Sequence, residues 1–387
     1  MLNFDYQNPT RIAFGQGRIA DLATLVPAQA KVLILVGGTS AEKTGTLAEV
    51  RAALGQRQHA TFSGIEPNPS YETSMQAVEH IRQGGFDFLL AVGGGSVIDA
   101  VKFIAAAVPF TAGDPWAILE NWGRNITSAL PLGTVLTLPA TGSEMNSGGV
   151  ITHRALGAKL AFSSPHCFPQ FSVLDPTKTY TLPPQQLANG VVDAFVHTVE
   201  QYLTHPVDAR IQDRFAEGIL HTLIEIGPRL LTAPKPVYDD RANLMWAATM
   251  ALNGLIGSGV PQDWATHMIG HELTATYHID HARTLAIVLP ALLNECRAAK
   301  REKLLQYGQR IWGITEGTDD ARVEAAITQT RLFFEQMGVA TRLSAYGVDA
   351  DAIDGLVAQL EAHGMVKLGE HRDITPDVAR RILQAAL

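Results

Sequence analysis

The sequence of 387 residues predicts an α/β domain followed by an all-α domain. Three apolar runs, at 31–36, 87–92 and 134–138, are each followed by Gly or Pro and then by a more polar segment. Continuous apolar runs of this length suit strands that are buried on both faces of a parallel sheet. Their alternation with helix-like segments is typical of a doubly wound sheet. We expect the two domains to cover 1–180 and 181–387.

The second half of the sequence has the periodicity of helices. Pro183 and Pro184 open a long pattern that runs to about residue 204, and proline is tolerated in the first turn of a helix. Strand-like alternation is nearly absent after this point. Further helices are expected at about 207–232, 238–257, 262–276, 284–298, 300–312, 320–337, 350–362 and 375–386.

The composition excludes several classes of protein. The net charge is −8 and the basic residues are scattered, which argues against nucleic acid and acidic membrane surfaces as partners. No apolar run reaches the roughly 20 residues that a membrane-spanning helix needs, and the N-terminus lacks the pattern of a signal peptide. Two cysteines form no disulfide framework. We therefore expect a cytoplasmic protein.

A run of three glycines and a serine follows the second apolar run and opens a helix at 97–107. Glycines let the backbone approach a ligand closely, and the start of a helix offers free N–H groups to an anion. Glycines also form tight turns without any ligand, but three in succession before a serine favour a diphosphate. The residues expected to contact it are Gly93, Gly94, Gly95, Ser96 and Asp99.

The segment after the first apolar run bears on the choice of dinucleotide. The loose fingerprint that begins at Gly15 follows only a short amphipathic run, and no acidic residue stands about 20 positions later. Gly37 and Gly38 instead leave space for a ribose 2′-phosphate, Ser40 offers a hydroxyl group and Lys43 a positive charge. This pattern predicts NADP(H) rather than NAD(H), although Lys43 can also be read as an ordinary surface lysine.

Another polar turn, at 137–144, follows the third apolar run. Its hydroxyl groups suit a sugar or phosphate edge of the same cofactor, although such a turn taken alone is ordinary. The hydroxyl side chains expected to contribute are those of Thr137 and Thr141.

An aspartate and several histidines stand at helical spacing in the second half. Asp193 and His197 are four residues apart, as are His267 and His271, and His281 follows after a polar break. Side chains four residues apart lie on the same face of a helix. One carboxylate with two or three imidazoles is a common way to hold a divalent transition metal.

These motifs together resemble the iron-containing, or group III, alcohol dehydrogenases, and most closely their NADPH-dependent butanol dehydrogenase and aldehyde reductase branch. The resemblance runs from the N-terminus to at least residue 290, so that it covers most of the chain. It rests on GGGSVIDAVK at 93–102, LPATGSE at 138–144, NGVVDAFVHTVE at 189–200 and the three histidines at 267, 271 and 281.

The resemblance implies a Rossmann-like dinucleotide-binding domain followed by a helical metal-binding domain, as in dehydroquinate synthase-like folds. It implies that His271 lies near the nicotinamide, that Lys159 lies near the cofactor ribose and that the protein is a homodimer. The donor set contains no sulfur, and we expect Zn²⁺ first and Fe²⁺ second. The implied metal ligands are Asp193, His197, His267 and His281.

The function that the resemblance implies is reversible hydride transfer between NADP(H) and aldehydes or primary alcohols, as in a broad-specificity aldehyde reductase. His271 and a metal-coordinated water are equal candidates for the proton relay. Glycerol dehydrogenase or 3-dehydroquinate synthase activity, for which fewer histidine ligands are needed, is one alternative. A metal hydrolase and a metal-binding protein without chemistry are two others.

Overall fold

The computed structural model describes all 387 residues, and the chain divides into two compact units. The α/β unit comprises Gln7–Leu182 and Pro236–Thr249. The helical unit comprises Met1–Tyr6, Pro183–Lys235 and Met250–Leu387. This confirms the expected fold class, an α/β domain with an all-α domain.

The expected division at residue 180 differs from these units in two exchanged segments, Met1–Tyr6 and Pro236–Thr249. The second of these is helical, but it belongs to the α/β unit because Arg241 Nη1 donates a hydrogen bond to the carbonyl oxygen of Thr179 at 2.7 Å. The ring of Trp246 also packs edge-on against Phe14, with centroids 5.9 Å apart. Helical periodicity predicts the helix itself but not the unit against which it packs.

The strands are β1 Arg11–Phe14, β2 Val32–Val36, β3 His59–Ser63, β4 Phe88–Gly94, β5 Leu132–Leu138, β6 Gly148–His153, β7 Ala158–Ser163 and β8 Phe171–Leu174. Six of them form the parallel sheet of the α/β unit, in the order β1-β8-β5-β4-β2-β3. A separate antiparallel hairpin consists of β6 and β7. The three predicted strands are β2, β4 and β5. The sequence does not predict β3, which lacks a buried apolar run, or β8, which has only four residues.

The helices of the first half alternate with these strands, and each helix predicted for the second half is present. Their bounds are α1 Leu22–Leu25, α2 Ser40–Lys43, α3 Thr46–Leu54, α4 Tyr71–Gly84, α5 Gly95–Ala107, α6 Ala117–Glu120, α7 Pro184–Tyr202, α8 Arg210–Thr232, α9 Tyr238–Ala251, α10 Ala265–Tyr277, α11 His281–Glu295, α12 Arg301–Trp312, α13 Asp319–Gln336, α14 Ala352–Ala362 and α15 Pro376–Ala385. None of these helices combines the length and apolar character that a bilayer-spanning segment requires.

Helix α7 is the centre of the helical unit. Pro184 stands in its first turn, where a missing N–H costs nothing, and every residue from Leu187 to Tyr202 is buried. Helices α8 and α11 pack against α7, and α10 packs against α11. A helix that is covered on all sides can carry polar side chains only where other polar groups meet them. This requirement fixes where the polar residues of α7 can point.

Candidate metal centre and dinucleotide site

Three imidazoles from three helices converge on one carboxylate oxygen. Asp193 and His197 lie one turn apart on α7, and Asp193 Oδ1 is 3.6 Å from His197 Nδ1. The Nε2 atoms of His267, on α10, and of His281, the first residue of α11, lie 3.9 Å and 3.8 Å from the same oxygen. The structure therefore brings together all four residues that the resemblance implies as metal ligands.

The separations of these atoms suit a metal ion. Two ligands of a tetrahedral ion, each about 2.1 Å from it, stand roughly 3.4 Å apart. The candidate ligand atoms of Asp193, His197 and His267 lie within 4.8 Å of one another. The Asp193 side chain is buried, yet its Oδ1 accepts no hydrogen bond from the protein. A buried carboxylate in this state is costly without a cation, so these residues fit the metal that the resemblance implies.

His271 lies beside this cluster on the next turn of α10. Its ring centroid is 5.2 Å from that of His281 and 6.3 Å from that of His267. The side chain is buried. His278, in contrast, is exposed in the turn between α10 and α11. Helix α10 ends at Tyr277, which is where the polar break before His281 is predicted.

Glu200 is a further residue of the centre, which is not among the residues predicted from the sequence. Its Oε2 accepts a hydrogen bond from His267 Nδ1, and its Oε1 accepts one from the backbone N–H of Thr266 at 2.7 Å. The Nε2 atom of His267 is thereby left to face Asp193, as in the carboxylate–histidine–metal arrangements of many metal sites. The signal was present, because Glu200 lies three residues after His197 and seven after Asp193, on the same face of α7.

Burial shifts the protonation of this carboxyl group. It raises the pKa of Glu200 well above its usual range, and the nearby charge of Asp263 raises it further. The backbone N–H groups of Thr266 and His267 and the charge of the His197 imidazole oppose this rise in pKa. The Glu200 carboxylate therefore depends on hydrogen-bond donors and positive charge around it.

Trp264 covers one side of the imidazole cluster. Its ring centroid lies 5.3 Å from that of His267 and 6.2 Å from that of His197. The backbone at Trp264 is left-handed, with φ of 63°, which is unfavourable for a residue that has a side chain. The indole Nε1 donates a hydrogen bond to Gln262 Oε1 at 2.8 Å. The surrounding structure thus maintains a strained turn that keeps the indole against the two imidazoles.

In the α/β unit, three turns meet at the C-terminal edge of adjacent strands. The turn at Gly37 and Gly38 follows β2, β4 ends in Gly93 and Gly94 directly before α5, and Thr137 lies near the end of β5. Strand β2 pairs with β4, and β4 pairs with β5. The connections leave β2 and β4 in opposite directions along the sheet. This is a topological switch point, the place where open α/β sheets bind ligands.

The glycines at this edge are required for different structural reasons. A Cβ atom on Gly95 would lie 2.4 Å from Thr141 Oγ1, and one on Gly93 would lie 2.5 Å from Val97 Cγ2, so packing alone requires these two glycines. A Cβ atom on Gly38 would meet nothing within 4 Å. Packing leaves open space beside Gly38, which suits a bound group. Helix α5 begins directly at Gly95, and its N-terminal N–H groups suit an anion.

Asp99 is engaged within the protein. Its Oδ1 accepts a hydrogen bond from Ser143 Oγ at 2.6 Å, and its Oδ2 accepts one from the backbone N–H of Val150 at 3.0 Å. Lys102, one turn along, donates to Ser143 Oγ at 2.9 Å and to the carbonyl oxygen of Gly148 at 2.7 Å. Burial lowers the pKa of Lys102 to about 8, although Asp99 opposes this shift. The pair anchors the segment that follows β5 to helix α5.

The remaining residues expected at the cofactor have different surroundings. Ser40 and Lys43 are exposed on the one-turn helix α2, which follows Gly38. Lys159 is buried on β7, and its Nζ donates a hydrogen bond to Asn68 Oδ1 at 2.9 Å. Ser96 lies in the first turn of α5. Cofactor contacts by these side chains remain predictions.

A Rossmann-like sheet with a glycine-rich switch point, joined to a helical unit that carries an Asp/His centre, defines a metal-dependent dehydrogenase class. Residues 9–176 match the family described as iron-containing alcohol dehydrogenase, and residues 187–387 match its C-terminal domain. The chain belongs to the iron-containing alcohol dehydrogenase family and is an oxidoreductase. The family membership implies a nicotinamide dinucleotide and a divalent metal.

Characterised relatives and solved structures agree with this assignment. The chain is 62% identical over 387 residues to NADPH-dependent aldehyde reductase YqhD of Escherichia coli, with 100% of both sequences covered. It is 37% identical to a probable NADH-dependent butanol dehydrogenase of Bacillus subtilis, again with 100% of both covered. A crystal structure of the Escherichia coli protein superposes with a TM-score of 0.98, covering 100% of this chain and 99% of the other. NADH-dependent butanol dehydrogenase A of Thermotoga maritima, 33% identical, gives a TM-score of 0.95 with the same coverage.

We predict that two alanine variants on α10 separate metal binding from turnover. His267→Ala should lose bound metal, because its Nε2 faces Asp193 Oδ1 at 3.9 Å. His271→Ala should keep the metal and lose turnover by about 10²–10⁴-fold, the usual range for a group that transfers a proton. Elemental analysis of both purified variants, with steady-state rates, checks this. Equal metal loss in the two variants would contradict the division of roles.

Proposed function

We propose that this protein is an NADP(H)-dependent reductase of aldehydes that also oxidises primary alcohols, with broad substrate specificity. The observation that carries the proposal is the convergence of His197, His267 and His281 on Asp193 Oδ1. This centre lies in a chain that is 62% identical to an NADPH-dependent aldehyde reductase. A metal hydrolase would not need the glycine-rich switch point of the sheet.

The residues proposed to hold the metal are Asp193, His197, His267 and His281. One carboxylate with three imidazoles contains no soft sulfur donor and suits Zn²⁺ or Fe²⁺. We propose Zn²⁺ as the first candidate, because it needs no protection from oxidation, and Fe²⁺, which gives the family its name, as the second. When bound, the metal supplies Lewis acidity to a carbonyl group and the reduced nicotinamide supplies the hydride.

Protein groups supply the remaining requirements of the reaction. Glu200 orients the ring of His267 by accepting the hydrogen bond from its Nδ1. Trp264 shields the imidazoles of His197 and His267 from water on one side. His271 is proposed to pass a proton to the product oxygen through its imidazole, because it lies beside the cluster on α10.

The dinucleotide is proposed to bind at the switch point of the sheet. Its diphosphate would lie against the turn at 93–96 and the start of α5, which offers N–H groups and a positive dipole end. Its ribose 2′-phosphate would occupy the space beside Gly38, near Ser40 and Lys43. Thr137, Thr141, Lys159 and the Asp99 region are proposed to line the rest of the cofactor. The relatives at 37% identity include NADH-dependent enzymes, so the choice of NADP(H) rests on this turn.

The proposed location is the cytoplasm, with no nucleic acid or membrane as a partner. Both cysteines are free, as expected for a reducing compartment. The proposed assembly is a homodimer. Large apolar side chains are exposed in the N-terminal segment and at the start of α8, and Met1 donates a hydrogen bond to the carbonyl oxygen of Val207, which precedes that helix. The exposed side chains are Met1, Leu2, Phe4, Tyr6, Ile211 and Phe215.

Purified protein should oxidise NADPH when short and medium aliphatic aldehydes are added. The rate should depend on bound metal, so that chelation followed by dialysis abolishes it and added Zn²⁺ or Fe²⁺ restores it. Absorbance of NADPH across an aldehyde series, together with elemental analysis, measures both. An unchanged NADPH spectrum with every aldehyde would refute the proposed reaction and favour the hydrolase.

Gly38→Asp should weaken the preference for NADPH. The new carboxylate meets no protein atom near its Cβ, so that it fits without displacing the backbone. It would repel a 2′-phosphate and accept hydrogen bonds from a free ribose hydroxyl. The ratio of kcat/KM for NADPH to that for NADH should fall about tenfold or more, which corresponds to roughly 1.4 kcal/mol. Gly38→Asn has nearly the same size but no charge, and a fall of equal size there would exclude the electrostatic explanation.

The exposed apolar side chains of the N-terminal segment and of α8 should be covered by a second copy of the chain in solution. A dimer removes such a patch from water, and each buried Å² contributes about 25 cal/mol. Light scattering should give twice the mass of the chain for the wild-type protein. Deletion of the first six residues together with Phe215→Ser should shift the equilibrium toward monomer. A wild-type monomer at micromolar concentration would refute the proposed homodimer.

A further inference from the structure

The turn that precedes α10 is held from several directions. The backbone N–H of Asp263 donates to the carbonyl oxygen of Glu200 at 2.9 Å, and Asp263 Oδ1 accepts a hydrogen bond from the N–H of Ala265 at 3.1 Å. The next residue, Trp264, has the left-handed backbone conformation. This turn carries the indole that packs against His267, and α10, which bears His267, starts directly after it. Displacement of the turn would therefore displace the imidazole.

A buried lysine forms an ion pair with this turn. Lys300, just before α12, places its Nζ 2.8 Å from Asp263 Oδ2. The same ammonium group donates to the carboxylate of Glu370 and to the carbonyl oxygen of Leu203, each at 2.8 Å. An ammonium group has three donors, and these three partners use all of them. One side chain thus joins the end of α7, the turn before α10 and the C-terminal segment.

Lys300 is also the counter-charge of two buried carboxylates. The side chains of Lys300, Asp263 and Glu370 are each no more than 3% exposed. Burial lowers the pKa of Lys300, but the charges of Asp263 and Glu370 raise it by more, so that the net shift is upward. The lysine stays charged. Its removal would leave two buried carboxylates without compensation, and at least one of them would move or take up a proton.

We propose that Lys300 is a positioning residue of the metal centre, which acts through the Asp263–Trp264 turn on Glu200 and His267. The inference rests on the metal-binding part of the proposed function. The backbone oxygen of Glu200 accepts a hydrogen bond from the N–H of Asp263, and its carboxylate accepts hydrogen bonds from Thr266 and His267. A shift of the turn would change the hydrogen bond from Asp263 to Glu200 and the position of the start of α10 together. Metal ligands tolerate only about 0.5 Å of misplacement before affinity suffers.

The test compares Lys300→Met with Lys303→Met, a matched control on α12. Lys303 is also buried, and its Nζ lies 2.7 Å from Asp213 and 4.1 Å from the ring centroid of Tyr202. Both variants remove a buried ammonium from a carboxylate, but Asp213 belongs to α8 and not to the turn. The measurement is the dissociation constant for Zn²⁺ and for Co²⁺ by chelator competition. Lys300→Met should raise it about 10–100-fold, the usual effect of losing an outer partner of a ligand, while Lys303→Met leaves it unchanged.

Two further readouts separate positioning from general loss of stability. The visible absorption spectrum of the Co²⁺ form reports coordination geometry, and it should change in Lys300→Met but not in Lys303→Met. Glu200→Gln should weaken metal binding directly, since an amide oxygen cannot replace a carboxylate that accepts two N–H donors. If both residues act by one route, the double variant Lys300→Met/Glu200→Gln should bind metal no more weakly than Glu200→Gln alone.

Each outcome bears on the proposal. A folded Lys300→Met with the wild-type dissociation constant and Co²⁺ spectrum would overturn it, as would an equal change in Lys303→Met. If Lys300→Met does not fold, Glu370→Gln decides, because it weakens one contact of the lysine and keeps the shape of the side chain. A smaller rise of the dissociation constant supports the proposal, and no rise overturns it. A wild-type protein that binds no metal would overturn both this inference and the proposed metal centre, whereas wild-type binding with unchanged variants overturns the inference alone.

Discussion

The buried carboxylate of Asp193 is the constraint on which the helical unit depends. A carboxylate at 3% exposure is stable only where positive charge or hydrogen-bond donors surround it. The imidazoles that α7, α10 and α11 direct at the same oxygen do not donate to it, but with it they form a donor set for a cation that would meet this need. The start of α11 at His281 and the turn before α10 place two of these imidazoles. The packing of α7, α10 and α11 therefore determines the geometry of the centre.

In the α/β unit, backbone geometry forms the candidate binding site. A parallel sheet whose connections diverge between β2 and β4 leaves an open edge at their carboxyl ends. Gly93 and Gly95 let α5 begin close to the sheet, and Asp99 with Lys102 holds the next segment beside it. These residues build the turn, so that an anion bound there would meet mainly backbone N–H groups. The more open turn at Gly38 is the place where side chains could distinguish one dinucleotide from another.

How much the sequence could predict depended on the range of the interaction. Helical spacing alone predicted that Asp193 and His197 share a face, because this relation lies within one turn. The joining of α7, α10 and α11 at one point is a tertiary relation, and only the resemblance to a family implied it. Glu200 has the right spacing, but its role depends on His267, which lies on another helix, and no pattern within α7 shows that contact. Met1–Tyr6 belongs to the helical unit and Pro236–Thr249 to the α/β unit, and no periodicity in either segment shows which unit it packs against.

The charges behind the centre favour a cation at Asp193 on grounds separate from the ligand geometry. The carboxyl groups of Glu200, Asp263 and Glu370 lie behind the imidazoles, and Lys300 is the ammonium that pairs with the last two. Burial and the nearby charge of Asp263 raise the pKa of Glu200 well above its usual range, so that added positive charge would favour the ionised form that accepts from His267. A cation held by Asp193 and the imidazoles would therefore strengthen the same contact that orients His267.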